Sequence, residues 1–364
     1  MKKTILETQI FDDALELSEQ EKKALLSAVL SQDLLEVENI EGDQASSILY
    51  FDNGIFVGKV NKFAHYHPEL ALQYLANTHD EQTTILYIPD RLQLAVPLVV
   101  QSLIPADAGG NVVVIVGAGA RVTLYDTLFL SISLIPSVTR SMVYHVGTDA
   151  QVTVVSDQML DESIDETTTE TFYCSARSNV QYTMIVTGGK VVNRSLAMQL
   201  QGEHASATVR GLYALHQNQC VTLTTRQEHQ APDTVSSLAI KGALSGIAQA
   251  VYEGTIVVGL PATRSEATQH NKNILLSESA RARSIPNLEV LTNDVHCAHG
   301  SAVGQLDADQ LFYARSRGMT DNQAKRLLLQ GFFTDVLTDI DNQDAVALVQ
   351  ARVLEKLVEV DDHV

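Results

Sequence analysis

Between about residue 81 and residue 305 the chain runs in short stretches rich in Val, Ile, Thr and Tyr. Apolar and polar positions alternate within them, and Gly, Asn, Asp or Ser ends each one. Alternation of period two with that punctuation predicts strands. The two ends follow a helical period instead. Ser18-x-x-Glu21 is a capping-box signature, followed by Ala24, Leu25, Ala28 and Val29 at helical spacing. Asp307-x-x-Gln310 opens a short helix through Leu311 and Phe312, which Gly318 closes. Thr320-x-x-Gln323 opens the next, with Leu327, Leu328 and Phe332 as its expected buried stripe. Val346, Val349, Val353, Leu357 and Val360 form one face of a last helix. The pattern divides the chain into an N-terminal helical region (1–80), a β core (81–305) and a C-terminal helical region (306–364).

Within the β core a weak repeat emerges. Gly117-Ala118-Gly119-Ala120-Arg121-Val122-Thr123 recurs from Gly147, from Arg177 and from Gly202, at offsets of 30, 30 and 25 residues. Looser echoes pair Ala248 with Ala250 and Ala280 with Ala282. A polar turn followed by two small or β-branched residues facing one way suits a stacked coil of strands, where like residues form ladders. The expected fold is mainly β, a solenoid; a β-sandwich with coincidental spacing is the alternative. Such a coil has a narrow interior that aliphatic side chains fill and large rings do not. The 20 aromatics in 364 residues, with no Trp, fit that interior.

Charge narrows the function classes. With 44 Asp and Glu against 25 Lys and Arg, the net charge of −19 argues against nucleic acid and anionic membranes, whose phosphates need Lys and Arg. It leaves cations and basic protein surfaces open. Cys174, Cys220 and Cys297 are odd in number and irregular in spacing, which points to a reducing, cytoplasmic setting rather than a disulfide framework. Acidic residues at Glu7, Asp12 and Asp13 interrupt any signal core, and the apolar stretch near Leu94–Ile104 is too short to span a bilayer. No Walker loop occurs: Gly188-Gly189-Lys190 is followed by Val191 and lacks the earlier glycine. G-x-S-x-G, H-E-x-x-H and C-x-x-C are absent too.

The densest chemistry is Asn293-Asp294-Val295-His296-Cys297-Ala298-His299-Gly300. On an extended strand Cys297 and His299 share one face and His296 takes the other. A thiolate beside an imidazole suits iron or zinc, and equally a nucleophile beside a base. A closed tetrahedral metal site needs four ligands, so others must come from elsewhere; a strand end with incidental Cys and His is the plain alternative. His65 and His67 before Pro68 read as a turn with solvated imidazoles, and His229 as a buried, satisfied histidine or a reactive one. Cys174 and Cys220 read as small buried hydrophobes within strands. Asp161, Glu162, Asp165, Glu166 and Glu170 read as a solvated acidic loop.

Across residues 229–331 the chain resembles a known family. The block combines His229-Gln230-Ala231-Pro232, Lys241-Gly242, NILLS (273–277), PNLEV (286–290), DVHCAHG (294–300), QLFYARSRG (310–318) and Gly331-Phe332. This resembles the SufB/SufD scaffold subunits of the Suf iron–sulfur cluster assembly machinery, more weakly back to about residue 81. Cys297-Ala298-His299-Gly300 is similar to the SufD branch; SufB carries a glutamate where this chain has Gly300, and a cysteine where it has Asn271. The resemblance implies a right-handed parallel β-helix core with helical ends. It also implies a non-enzymatic scaffold that pairs with a SufB-like paralogue, or with itself when alone. A SufC-like ABC ATPase would dock on the C-terminal helices. It implies that His299, with Cys297 nearby, helps a partner bind a transient iron–sulfur cluster or its iron; a flavin is a further candidate cofactor. A β-helix enzyme (a polysaccharide lyase or a Cys/His acyl-transfer catalyst) and a purely architectural solenoid are the competing expectations.

Overall fold

A computed structural model describes residues 37–38, 49–51, 54–75, 83–100, 109–130 and 136–358. The expected capping box at Ser18 and the helix after it lie outside the described residues. Among the described residues the strands form an eleven-stranded and an eight-stranded sheet. From Thr84 onward the chain alternates between the two, and each strand pairs in parallel with the strand two places further along. The result is a β-solenoid of about seven turns, one strand of each sheet per turn. Ahead of the coil, Val37–Glu38, Leu49–Phe51 and Phe56–Lys59 extend the larger sheet in antiparallel fashion.

The register corrects the sequence repeat. Val122, Val152, Val180 and Ala207 stand in one column, at steps of 30, 28 and 27 residues. The repeat sets Val180 opposite Ala150, two positions early. The cause lies at the corner. Seven of the turns from the larger to the smaller sheet pass through one left-handed residue: Arg91, Gly119, Asp149, Arg177, His204, Asp233 and Arg264, with φ between 55° and 66°. Arg177 is therefore the counterpart of Asp149, although the motif sets it opposite Gly147. The amide of each corner residue donates to a carbonyl in the next corner, as in Asp149 N to Ala176 O (3.0 Å) and Arg177 N to Glu203 O (2.8 Å). Guanidinium–carboxylate forks join Asp149 to Arg177 and Asp233 to Arg264 across adjacent corners.

The coil interior is aliphatic along much of its length but also holds rings, against expectation. Tyr144 and Phe172 stack at 4.1 Å, and Tyr182 meets Phe172 edge-on at 5.5 Å. Parallel strands about 4.8 Å apart bring like positions to near stacking distance, so rings suit the ladder where neighbouring rungs both supply them. The acidic run is corrected in part: Asp161, Glu162 and Asp165 are exposed as expected. Glu166 and Glu170 are each 1% exposed, inside the coil rather than in a solvated loop. Arg194 pairs with Glu166 at 2.8 Å and Arg140 with Asp126 at 2.8 Å. Gln158 and Thr168 donate to Glu166, and Tyr182 donates to Glu170 at 2.5 Å. Burial raises the Glu170 pKa, with the two guanidiniums opposing.

Helices lie towards both ends of the chain. Among the described residues two short ones, α1 (Val60–Tyr66) and α2 (Pro68–Tyr74), precede the coil, with Pro68 at the start of α2. His67 is not solvated: its ring packs against Phe63 at 5.0 Å and Tyr87 at 5.1 Å, and burial lowers its pKa. After the coil come α3 (Ala308–Ser316), α4 (Asp321–Phe333) and α5 (Gln343–Leu357). Asp307 caps α3, Gly318 follows it at φ 92°, and Thr320 and Gln323 complete the capping box of α4. The stripe of α4 is Ala324, Leu329 and Phe333 rather than Leu327, Leu328 and Phe332. The run Leu327-Leu328-Leu329 leaves the phase of the helix open in sequence; packing against the sheet sets it. No helix among the described residues is long and apolar enough to cross a membrane.

Candidate functional site

The last rung consists of Arg281–Val290 and Val295–Gly304, the terminal strands of the larger and smaller sheets. Among the described residues each has a neighbouring strand on one side only. On the strand beneath Val295–Gly304 the inward residues are Ala267, Gln269, Asn271 and Asn273, all at most 3% exposed. Register sets Cys297 on Ala267, His299 on Gln269, Ser301 on Asn271 and Val303 on Asn273. Strand alternation then puts Cys297 and His299 on the inward face and His296 on the outer face, as the sequence predicts.

Cys297 is half-buried and packs with Val295 against Ile256, Val258, Ala262 and Ala267. That burial pushes its thiol above the usual range, and a hydrogen bond from the Ala267 backbone partly opposes it. His299 is exposed at the open end. On the outer face, a Cβ at Gly300 would lie 3.0 Å from Nδ1 of His270, so an imidazole from the preceding rung crowds that position. The pair is an incomplete ligand set. Among the described residues no three His, Cys, Asp or Glu side chains converge on a point that could hold a metal ion. One soft sulfur and one imidazole nitrogen suit iron, and both lie on an edge where another chain can add donors.

Beneath the rung the interior turns polar. Asn273 donates to Asn271 at 2.8 Å, Tyr213 donates to Asn273, and Asn271 donates to the Ile240 carbonyl at 3.3 Å. Gly242 gives them room: a Cβ there would lie 2.2 Å from the Tyr213 ring and 2.5 Å from Asn273 Oδ1. His229 is the satisfied buried histidine of the two readings. Its ring nitrogens contact Thr234 at 2.8 Å and Ser236 at 2.7 Å, and burial lowers its pKa to about 4. Cys174 is fully buried, and burial drives its thiol to about 12. Cys220 departs from expectation: it is the first residue of its strand and only half-buried.

The C-terminal helices cover the outer face of the eight-stranded sheet that ends in Val295–Gly304. Leu329, Phe333, Val336, Val349, Val353 and Leu357 pack on Val155, Ile185, Leu212, Ala214 and Ala243. Ion pairs surround this apolar seam. Lys241 reaches Asp335 at 2.6 Å and the Phe332 carbonyl at 2.7 Å, and Arg210 reaches Asp339 at 2.6 Å. Arg352 pairs with Asp157, and Lys356 with Glu162 at 2.7 Å.

Comparison with known proteins converges on one family. The model of the SUF system FeS cluster assembly SufBD core domain matches residues 106–332. An iron–sulfur cluster assembly SufBD family protein of Mycobacterium tuberculosis is 35% identical over 169 residues, 44% of this chain and 43% of the relative. The iron–sulfur cluster assembly protein SufD of Escherichia coli is 29% identical over 170 residues, 47% of this chain and 40% of its own length. The chloroplastic protein ABCI7 of Arabidopsis thaliana is 28% identical over 170 residues, covering 46% and 36%. The chain thus spans less than half the length of each of these relatives.

Proposed function

The chain belongs to the SufBD family of SUF-system iron–sulfur cluster assembly proteins, and on that premise we propose that it is a SufD-like scaffold subunit. It pairs through its open last rung with a SufB-like paralogue, or with a second copy when alone. A SufC-like ABC ATPase engages residues 306–364, and ATP hydrolysis takes place on that partner. Residues 81–305 form the scaffold core, and the described part of the segment before it adds three antiparallel strands to the larger sheet as well as α1 and α2.

The observation that carries this reading is the placement of Cys297 and His299 together on the inward face of an edge rung. Iron or a nascent cluster is the cargo. The imidazole offers one nitrogen and Cys297 a sulfur, while the partner chain supplies the remaining ligands. A ligand set divided between two chains is incomplete on either one, which keeps the cargo transferable. Burial holds Cys297 as a thiol at neutral pH, so it becomes a ligand as iron displaces its proton.

Cys297→Ala and His299→Ala, singly and together, should each lower the rate of cluster assembly on the complex, read from the visible absorbance of the forming cluster. The double variant should fall furthest. Unchanged assembly in all three would sink the assignment of these residues, while association with both partners tests the scaffold role separately.

A further inference from the structure

Resting on the reading of His299 as a cargo ligand, we propose that Gln269 is its positioning residue. Gln269 stands directly beneath His299 in register, one strand inward, and is 1% exposed. Among the described residues neither its Nε2 nor its Oε1 has a hydrogen-bond partner. Two more buried polar atoms nearby in the coil, Gln227 Oε1 and Ser284 Oγ, also lack partners. Other polar side chains of this interior, including His229, Asn271, Asn273 and Tyr252, are paired. A buried carboxamide without partners is costly and rare, so its persistence calls for a use.

The packing holds the amide in place. A Cβ on Gly254 would lie 2.3 Å from Gln269 Nε2 and 2.3 Å from the Tyr252 hydroxyl. Glycine at this position therefore leaves the space that the carboxamide occupies, and the Tyr252 ring borders it. An imidazole that gives one nitrogen to iron must donate its other N–H, and the acceptor of that hydrogen bond fixes the tautomer and the ring plane. Gln269 carries a free acceptor, Oε1, on the strand next to His299. The carboxamide accepts the ring N–H from below and leaves the other nitrogen for iron at the open end, on the face it shares with Cys297.

The test uses the complex with its partner chain and ferrous iron alone as probe, without oxygen, plus imidazole spectra of the full chain. Gln269→Leu should weaken ferrous binding about tenfold or more, in the range typical of outer-shell partners of metal-bound histidines. Gly254→Ala should act in the same direction, because it displaces the amide without removing it. Added to His299→Ala, Gln269→Leu should have no further effect. In nitrogen-15 spectra, with the His299 signal assigned by its loss in His299→Ala, the wild-type ring should show one fixed tautomer and Gln269→Leu a mixture. Wild-type ferrous affinity in Gln269→Leu, with His299→Ala impaired, would overturn the positioning role and leave the ligand reading standing. If His299→Ala itself binds iron normally, the ligand reading fails first. The tautomer then decides on Gln269, and an unchanged tautomer overturns it.

Discussion

At the scale of single residues, the interior separates side chains that water would otherwise make alike. His229 is held neutral: its pKa lies near 4, below the ordinary 6.5, because burial penalises the imidazolium. Above pH 6.5 both folded and unfolded chains carry it uncharged, and its contribution to stability is fully present. Between 6.5 and about 4 only the unfolded chain takes up the proton, so that stability drains away as pH falls, by about 3 kcal/mol for this group. His229→Gln should lower stability at neutral pH through its lost hydrogen bonds, yet lose about 2–3 kcal/mol less than wild type between pH 7 and 4.5. Urea unfolding at the two pH values measures this, and an unchanged difference would refute the assignment. Cys297 and His299 were legible at this scale because alternation along one strand is a local property. Glu166 and Glu170 were not, because Arg140 and Arg194 come from neighbouring rungs that only the register identifies. Asp157 and Glu162 likewise meet their partners, Arg352 and Lys356, only through the docking of a helix.

At the scale of elements, strand ends and helix caps could be read directly, whereas the corners were disguised. Glycine marks a left-handed position in sequence, but of the seven left-handed corners that lead from the larger to the smaller sheet only one uses it; Asp, Arg and His fill the others. An L-residue there costs roughly 1–2 kcal/mol relative to its preferred backbone, most for β-branched side chains, and the amide ladder between corners offsets it. His204 gives the cleanest test, since its corner makes the backbone bond to Pro232 without a guanidinium fork. His204→Val should lower stability by about 1–2 kcal/mol, whereas His204→Gly should sit within about 0.5 kcal/mol of wild type. Thermal unfolding of the two variants reads the difference, and equal losses would show that the corner tolerates branching.

At the scale of the whole molecule, the two ends of the coil differ. Antiparallel strands extend the first rung, while the last presents two strand edges with Leu288, Val290 and Val303 each at least 40% exposed. An exposed edge with apolar side chains is a template for pairing, which natural proteins blunt or occupy. Val303→Asp should therefore abolish association with the partner chain in light scattering while shifting the stability of the monomer by no more than about 0.5 kcal/mol. Association at wild-type strength would move the interface elsewhere. The solenoid was visible in sequence as a repeat close to its true step, since stacked rungs must reuse similar spacing. The open end was not, because an edge is defined by the strand that fails to follow.

The regular stacking also turns the smaller sheet into a ruler. Strands Ser206–Leu215 and Val235–Leu244, which support the C-terminal helices, and Val295–Gly304, which carries Cys297 and His299, belong to one hydrogen-bonded sheet. Between Val235–Leu244 and Val295–Gly304 there is a single strand, Ser265–Leu275. Two steps of about 4.8 Å set the strand under the helix seat roughly 10 Å from the strand that carries the candidate ligands, through backbone alone. The separation cannot be tuned by degrees: it changes only in whole rungs.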